Sequence, residues 1–144
     1  MFLPSPSDLL VNLNEARSLV HQLLEELPKM FKDTNETQSA VGAALQAAYK
    51  MSSPTGGRVT VFQHTLPTLG PGALSPREVA SGSEKKVDAS ILGPQTDFYK
   101  KLALDCSGQQ VAVDVWTLSG TYVDLATLSG VSKFSGGQVQ HFPG

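Results

Sequence analysis

The chain has 144 residues, a formal net charge of −2 and a single cysteine. That length allows one domain, with roughly two-thirds of the unfolded surface buried on folding. The charge leaves no electrostatic footprint for nucleic acid or an anionic membrane, and one cysteine excludes an internal disulfide or a cysteine-based structural zinc site.

A reducing compartment is the simplest reading of Cys106. The N-terminus, Met1-Phe2-Leu3-Pro4-Ser5-Pro6, has no basic stretch and no long apolar run, so it does not read as a secretory signal. No segment approaches the ~20 apolar residues that cross a bilayer. Any membrane work is therefore expected from the surface.

Pro4 and Pro6 predict an extended start. Ala16, Leu19, Val20, Leu23, Leu24 and Leu27 then recur at spacings of three and four, which predicts an amphipathic helix. Asn12 or Asn14 is the expected cap and Pro28 the expected end. A second helix is predicted over about 37–50, where Ala40, Ala43, Ala44, Ala47 and Ala48 make it thin enough to lie close to a sheet. Ser52-Ser53-Pro54-Thr55-Gly56-Gly57 ends it, and Arg58 to Gln63 reads as a strand.

The stretch from about 64 to 93 is irregular, and its polar middle near 77–90 is expected to be mobile. Pro94 suits the opening of a third helix, with Phe98, Leu102 and Cys106 on the core side and Gly108 as its cap. Val111 to Trp116 is a second strand. Leu125, Leu128 and Val131 mark a short helix with Asp124 at its positive end, and Gly136-Gly137 breaks it. Gln138 to Phe142 is the last strand.

Strands alternating with helices predict an α/β fold: a partial doubly wound sheet of three parallel strands flanked by helices. Parallel sheets usually have more strands and two covered faces. The opening helices also lack a preceding strand. Both points suggest that the first strands of the domain are missing.

No catalytic constellation emerges. Gly56-Gly57-Arg58 joins a helix to a strand, the wrong sheet edge for a phosphate loop, and reads as a turn. Cys106 sits on an apolar stripe near a helix C-terminus, where the dipole opposes a thiolate; it reads as structural. His64 follows the first strand, on the edge where α/β folds bind ligands, but has no partner at a recognisable spacing. His21 and His141 lie elsewhere, so a metal is not indicated. Asp114 interrupts an apolar strand and must be paired, either with backbone N–H groups or at a polar contact. Asp97 and Asp105 read as solvated.

Several runs are more specific. They are Leu9-Leu10-Val11-Asn12-Leu13-Asn14-Glu15, Thr37-Gln38-Ser39-Ala40, and Ala43 to Lys50. Ser53-Pro54-Thr55-Gly56-Gly57-Arg58-Val59 and Leu66 to Leu74 follow, and the longest is Thr96 to Asp114. Together they resemble the trunk domain of the cargo-selecting subunit of the COPII inner coat, the Sec twenty-four type. The resemblance covers nearly the whole chain. It implies a von Willebrand A-like fold of which residues 1–144 form the second half of the sheet, with Met1 falling in mid-domain. The zinc finger that precedes the family's trunk is absent from these residues, as are the β-sandwich, helical and gelsolin-like domains that follow it. No zinc or other cofactor therefore carries over, and no partner-binding residue is assigned.

The resemblance implies an interaction module rather than an enzyme, acting in transport from the endoplasmic reticulum to the Golgi. The implied partners are the smaller, GTPase-activating subunit of the inner coat and, through the full-length parent, a membrane-bound small GTPase and cargo tails. The implied place is the cytosolic face of the endoplasmic reticulum membrane and COPII-coated vesicles, by peripheral association. The alternative is a small α/β enzyme or ligand-binding domain using His64 and Asp114 on a shared ligand. A third reading is a truncated product without an independent role. On that third reading the strand near 58–63 is expected to have an unpaired edge, a hazard for association.

Overall fold

The computed structural model describes residues 9–77, 92–118, 120 and 122–143. The chain divides into two units, Met1–Thr37 and Gln38–Gly144. The expected extended start and the polar middle of the irregular stretch fall mostly outside the described residues.

The first unit is built on helix α1, Leu13–Met30. Asn12 caps it, its side chain accepting from the Asn14 backbone N–H at 3.0 Å. Pro28 does not end the helix but sits in its last turn. Its missing N–H forgoes the bond to the Leu24 carbonyl, and only Lys29 and Met30 follow it in the helix. No residue of α1 is buried, and Leu19, Leu23 and Leu24 of the predicted stripe stand exposed.

The second unit begins with α2, Val41–Ser52, later than the alanine pattern suggests. The delay has a cause in the preceding residues. Ser39 bridges in parallel to Pro67, its carbonyl oxygen accepts from Thr68 N and Leu69 N, and its hydroxyl accepts from Gln63 Nε2 at 3.0 Å. Residues just before 41 are thus held by the loop after the first strand. Strand β1, Gly57–Gln63, follows the glycine turn. Then come α3, Phe98–Gly108; β2, Val111–Leu118; α4, Leu125–Ser135; and β3, Val139–Phe142.

The three strands form one sheet in the order β1-β2-β3, all parallel. Val59 pairs with Val113, Phe62 with Trp116, and Leu118 with Phe142. Two successive crossovers of the same hand, stepping the same way across a sheet, put both helices on one face. That is the arrangement here. Val111, Val113 and Val115 point into a core with Leu45 of α2, Leu102 and Cys106 of α3, and Leu128 and Val131 of α4. Each such buried side chain is worth roughly 1.5–3 kcal/mol relative to exposure.

Helix α3 opens at Phe98 rather than at Pro94, and its buried stripe departs from the expected one. Leu102 and Cys106 are buried as predicted, but Phe98 is only half-buried and Tyr99 is fully enclosed. Tyr99 tolerates this because its hydroxyl donates to the Gly72 carbonyl at 2.8 Å. Gly108 is the last residue of α3 rather than its cap; Gln110, at φ 56°, takes the left-handed position before β2. Gly136 ends α4 in the left-handed conformation at φ 77°.

Candidate functional site

The strand register separates the two residues of the ligand-site alternative. Asp114 pairs with Thr60 in the middle of the sheet, whereas His64 lies just past β1, level with Leu118, whose carbonyl oxygen its Nδ1 meets. Four residues of strand amount to about 13 Å. Among the described residues no convergent polar group bridges that gap, so they form no shared site.

Asp114 has a structural occupation instead. It is 9% exposed. Arg58 Nη1 donates to its Oδ1 at 2.6 Å and Oδ2 at 2.8 Å, and the Gln138 backbone N–H donates to Oδ1 at 2.8 Å. The hydrogen bond from Arg58 holds the carboxyl below its ordinary pKa, helped by Gln138 and opposed by burial. The carboxylate thereby ties the start of β1 to the residue that leads into β3.

The remaining candidates resolve in the same direction. Cys106 is buried, and burial followed by the charge of Asp105 pushes its thiol pKa up, away from reactivity. Gly56 and Gly57, both at positive φ, turn the chain from α2 into β1, and Gly57 N donates to the Gln110 carbonyl. His141 Nδ1 lies 2.8 Å from Thr117 Oγ1, and His21 is on α1 in the other unit. Among the described residues no group of three or more His, Cys, Asp or Glu side chains could hold a metal ion. No described helix is long and apolar enough to cross a membrane.

One polar cluster is legible in the sequence only in part. Asp124, 2% exposed, caps α4 by accepting from Thr127 N at 3.1 Å and from Thr127 Oγ1 at 2.9 Å. Arg77 reaches the same carboxylate, Nη2 to Oδ2 at 2.6 Å, and also donates to the Gly93 carbonyl. Gln95 N donates to Thr127 Oγ1 at 2.7 Å. The cap could be read from its position before α4. Arg77 could not, because it lies 47 residues away in irregular chain.

The sheet of the second unit has a second face, away from its core. The sheet face opposite the core carries Arg58, Thr60 and Phe62 of β1, Asp114, Trp116 and Leu118 of β2, and Gln140 and Phe142 of β3. Phe62 is 67% exposed. The Trp116 ring lies 6.0 Å from that of Phe62 and 5.8 Å from that of Phe142, so an aromatic band crosses all three strands. Among the described residues β1 pairs only with β2, so its outer edge is free. Beside that edge runs a groove of about 220 Å³ lined by Val41, Ala44, Leu45 and Ala48 of α2 and by Val59, Thr60 and Val61. The small alanines of α2 are what leave it open.

The chain as a whole has counterparts among known proteins. The family model for the Sec23/Sec24 trunk domain matches residues 1–144. Human protein transport protein Sec24A is 59% identical over 143 residues, covering 99% of this chain and 13% of the relative. Human Sec24B is 56% identical, with 99% and 11% covered. Protein transport protein sec24 of Aspergillus clavatus is 42% identical, with 99% and 16% covered. The crystal structure of the human COPII-coat protein Sec24c superposes with a TM-score of 0.89 at 34% identity, over 99% of this chain and 20% of that one. The chain therefore spans under a fifth of these curated relatives, and it belongs to the Sec23/Sec24 trunk domain family.

Proposed function

We propose that this chain is part of the trunk domain of a COPII vesicle-coat cargo adaptor and serves protein transport from the endoplasmic reticulum to the Golgi. The observation that carries this reading is the 59% identity to human Sec24A across 99% of the chain. The chemistry agrees with it: the described polar side chains tie elements together and do not converge on a substrate position. Work of this kind is binding by complementary surfaces, with affinity from many weak contacts. The partners we propose are the smaller, GTPase-activating subunit of the inner coat, and a membrane-bound small GTPase and cargo tails reached through the longer parent. The place is the cytosolic face of the endoplasmic reticulum membrane.

We also propose that residues 1–144 are the second part of the trunk sheet and that its earlier strands precede them in the parent. The free edge of β1 and the apolar groove beside it support this. A strand added there would satisfy the edge N–H and C=O groups and send alternate side chains toward Ala44 and Ala48.

The test is co-purification. The parent protein containing this chain is expected to form a stoichiometric complex with the smaller inner-coat subunit in size-exclusion chromatography. Separate elution of the two at micromolar concentration would overturn the coat reading.

A further inference from the structure

The chain contains three Ser-Pro dipeptides, Ser5-Pro6, Ser53-Pro54 and Ser75-Pro76, and no Thr-Pro. Ser5 lies outside the described residues. The other two serines present their hydroxyls in opposite ways. Ser53 is half-buried where α2 ends, and its hydroxyl donates to the Lys50 carbonyl at 3.3 Å. Its proton is engaged, and its backbone is helical at φ −56° and ψ −34°. Ser75 and Pro76 lie exposed in irregular chain. Ser75 Oγ accepts from Gln95 Nε2 at 3.1 Å and donates to no group among the described residues.

Gln95 also fixes the backbone around that hydroxyl. Its Oε1 accepts from Ser75 N at 2.9 Å, and its Nε2 donates to the Ser75 carbonyl at 3.1 Å. Gln95 N in turn donates to Thr127 Oγ1 of α4. Ser75 is therefore presented from a defined place on the surface. An enzyme that reads serine followed by proline uses two local properties. The residue before proline is biased away from the helical region, and proline has no N–H to leave unsatisfied. It also needs an exposed hydroxyl whose proton is free to leave. Ser75 meets these conditions, whereas Ser53 is helical, half-buried and already donating.

We propose that Ser75 is a phosphorylation site for a proline-directed protein kinase. The γ-phosphoryl group of a nucleoside triphosphate passes to Ser75 Oγ. The bond from the γ-phosphorus to the β–γ bridging oxygen breaks and a bond to Oγ forms. The nucleoside diphosphate leaves, and the hydroxyl proton goes to the kinase's aspartate base. The product carries about 1.5–2 negative charges at neutral pH. Gln95 Nε2, which meets Oγ in the unmodified chain, then has a phosphate oxygen to donate to, and a charge-assisted bond is the stronger kind. The proposal does not depend on the coat reading.

The experiment incubates the full chain with ATP, magnesium and a mitogen-activated protein kinase, and follows each serine by peptide mass spectrometry. Short synthetic peptides centred on Ser53 and Ser75 give the rate of each site without the fold. Relative to its peptide, Ser53 is expected to be slowed at least about tenfold more than Ser75, because it reacts only when the end of α2 opens. Gln95→Ala and Gln95→Glu both remove the amide donor, and only the second adds a charge beside the accepting oxygen. The glutamate variant is expected to be labelled at least about twofold more slowly than the alanine variant. Circular dichroism melts report that both variants are folded. A folded chain left unlabelled at Ser75, equal protection of Ser53 and Ser75, or equal rates in the two Gln95 variants would each overturn the proposal.

Discussion

Arg58 and Asp114, 56 residues apart in sequence, meet across β1 and β2 with one guanidinium nitrogen within 2.8 Å of both carboxylate oxygens. The pair is unequal. The Arg58 side chain is 54% exposed and that of Asp114 only 12%. Removing the arginine leaves a carboxylate that still accepts from Gln138 N, so Arg58→Ala is expected to cost about 0.5–1 kcal/mol. Removing the carboxylate strips both donors, so Asp114→Ala is expected to cost about 1.5–3 kcal/mol. The Asp114 pKa is lowered in the folded state, so its contribution is complete above the unfolded value of ~3.9 and fades as pH falls below it. Urea midpoints between pH 7 and pH 2.5 test this: Asp114→Asn should be less stable than wild type at pH 7, with the gap narrowing in acid. A gap independent of pH would show that the charge contributes nothing.

The second ion pair lies deeper. Arg77 has a side-chain exposure of 15% against 2% for Asp124, and the aspartate also caps α4. Asp124→Ala removes both the α4 cap and the carboxylate that Arg77 meets, and the cap alone is expected to cost about 1–2 kcal/mol. Arg77→Ala leaves Asp124 bonded to Thr127 through two donors and should cost clearly less. Urea unfolding of both single variants and the double variant measures the coupling. Strict additivity would mean the two side chains do not act together.

Backbone approach makes two glycines irreplaceable and one dispensable. A Cβ on Gly137 would stand 1.9 Å from the Val113 carbonyl oxygen, and one on Gly42 would stand 1.8 Å from that of Pro71. Gly137→Ala and Gly42→Ala are therefore expected at or above the ~3 kcal/mol end of overpacking. Gly108, in the last turn of α3, meets nothing within 4 Å. Gly108→Ala is expected to stabilise by about 0.5–1 kcal/mol through helix propensity and a less flexible unfolded chain. Thermal melts of the three variants give the ranking, and a destabilised Gly108→Ala would contradict it.

Tyr99 offers a spectroscopic readout of the core. Burial first, and the charge of Asp124 second, push its phenol up to about 12. The raised folded value means stability is intact below the unfolded value of ~10 and is lost as pH rises toward 12. Tyr99→Phe should remove the latest-titrating component of the tyrosinate absorbance and flatten the alkaline decline in stability. It should also cost about 1 kcal/mol at neutral pH, because the Gly72 carbonyl loses its donor. An unchanged titration curve would place Tyr99 outside the core.

Local pattern was enough for the parallel sheet, because β-branched runs such as Val111 to Val115 and the glycine breaks at 56–57 and 136–137 act on their own segments. It was also enough to expect that Asp114 is paired, since a carboxylate among valines must be. It could not name Arg58 as the partner, because that contact follows from register, a property of two strands together. The start of α2 was displaced for the same kind of reason: Ser39 is claimed by the loop at 67–69, and no helix propensity at Ala40 reports that. The Ser75–Gln95 clamp likewise joins two stretches whose mutual packing neither one encodes.

The free edge of β1 makes the last prediction one about association. Natural sheets blunt exposed edges with charges, prolines or bulges. From Val59 to Gln63 this edge has no charge and no proline, and Arg58 is engaged by Asp114. The 144-residue chain alone is therefore expected to self-associate, seen as a concentration-dependent rise in sedimentation coefficient. Thr60→Lys with Phe62→Lys puts two cations on the open face, where neither side chain is buried, and should keep the chain monomeric without lowering its unfolding midpoint. A wild-type 144-residue chain that stays monomeric at high concentration and unfolds cooperatively would mean the edge is protected by its own residues. The proposal that earlier strands complete the sheet would then fall.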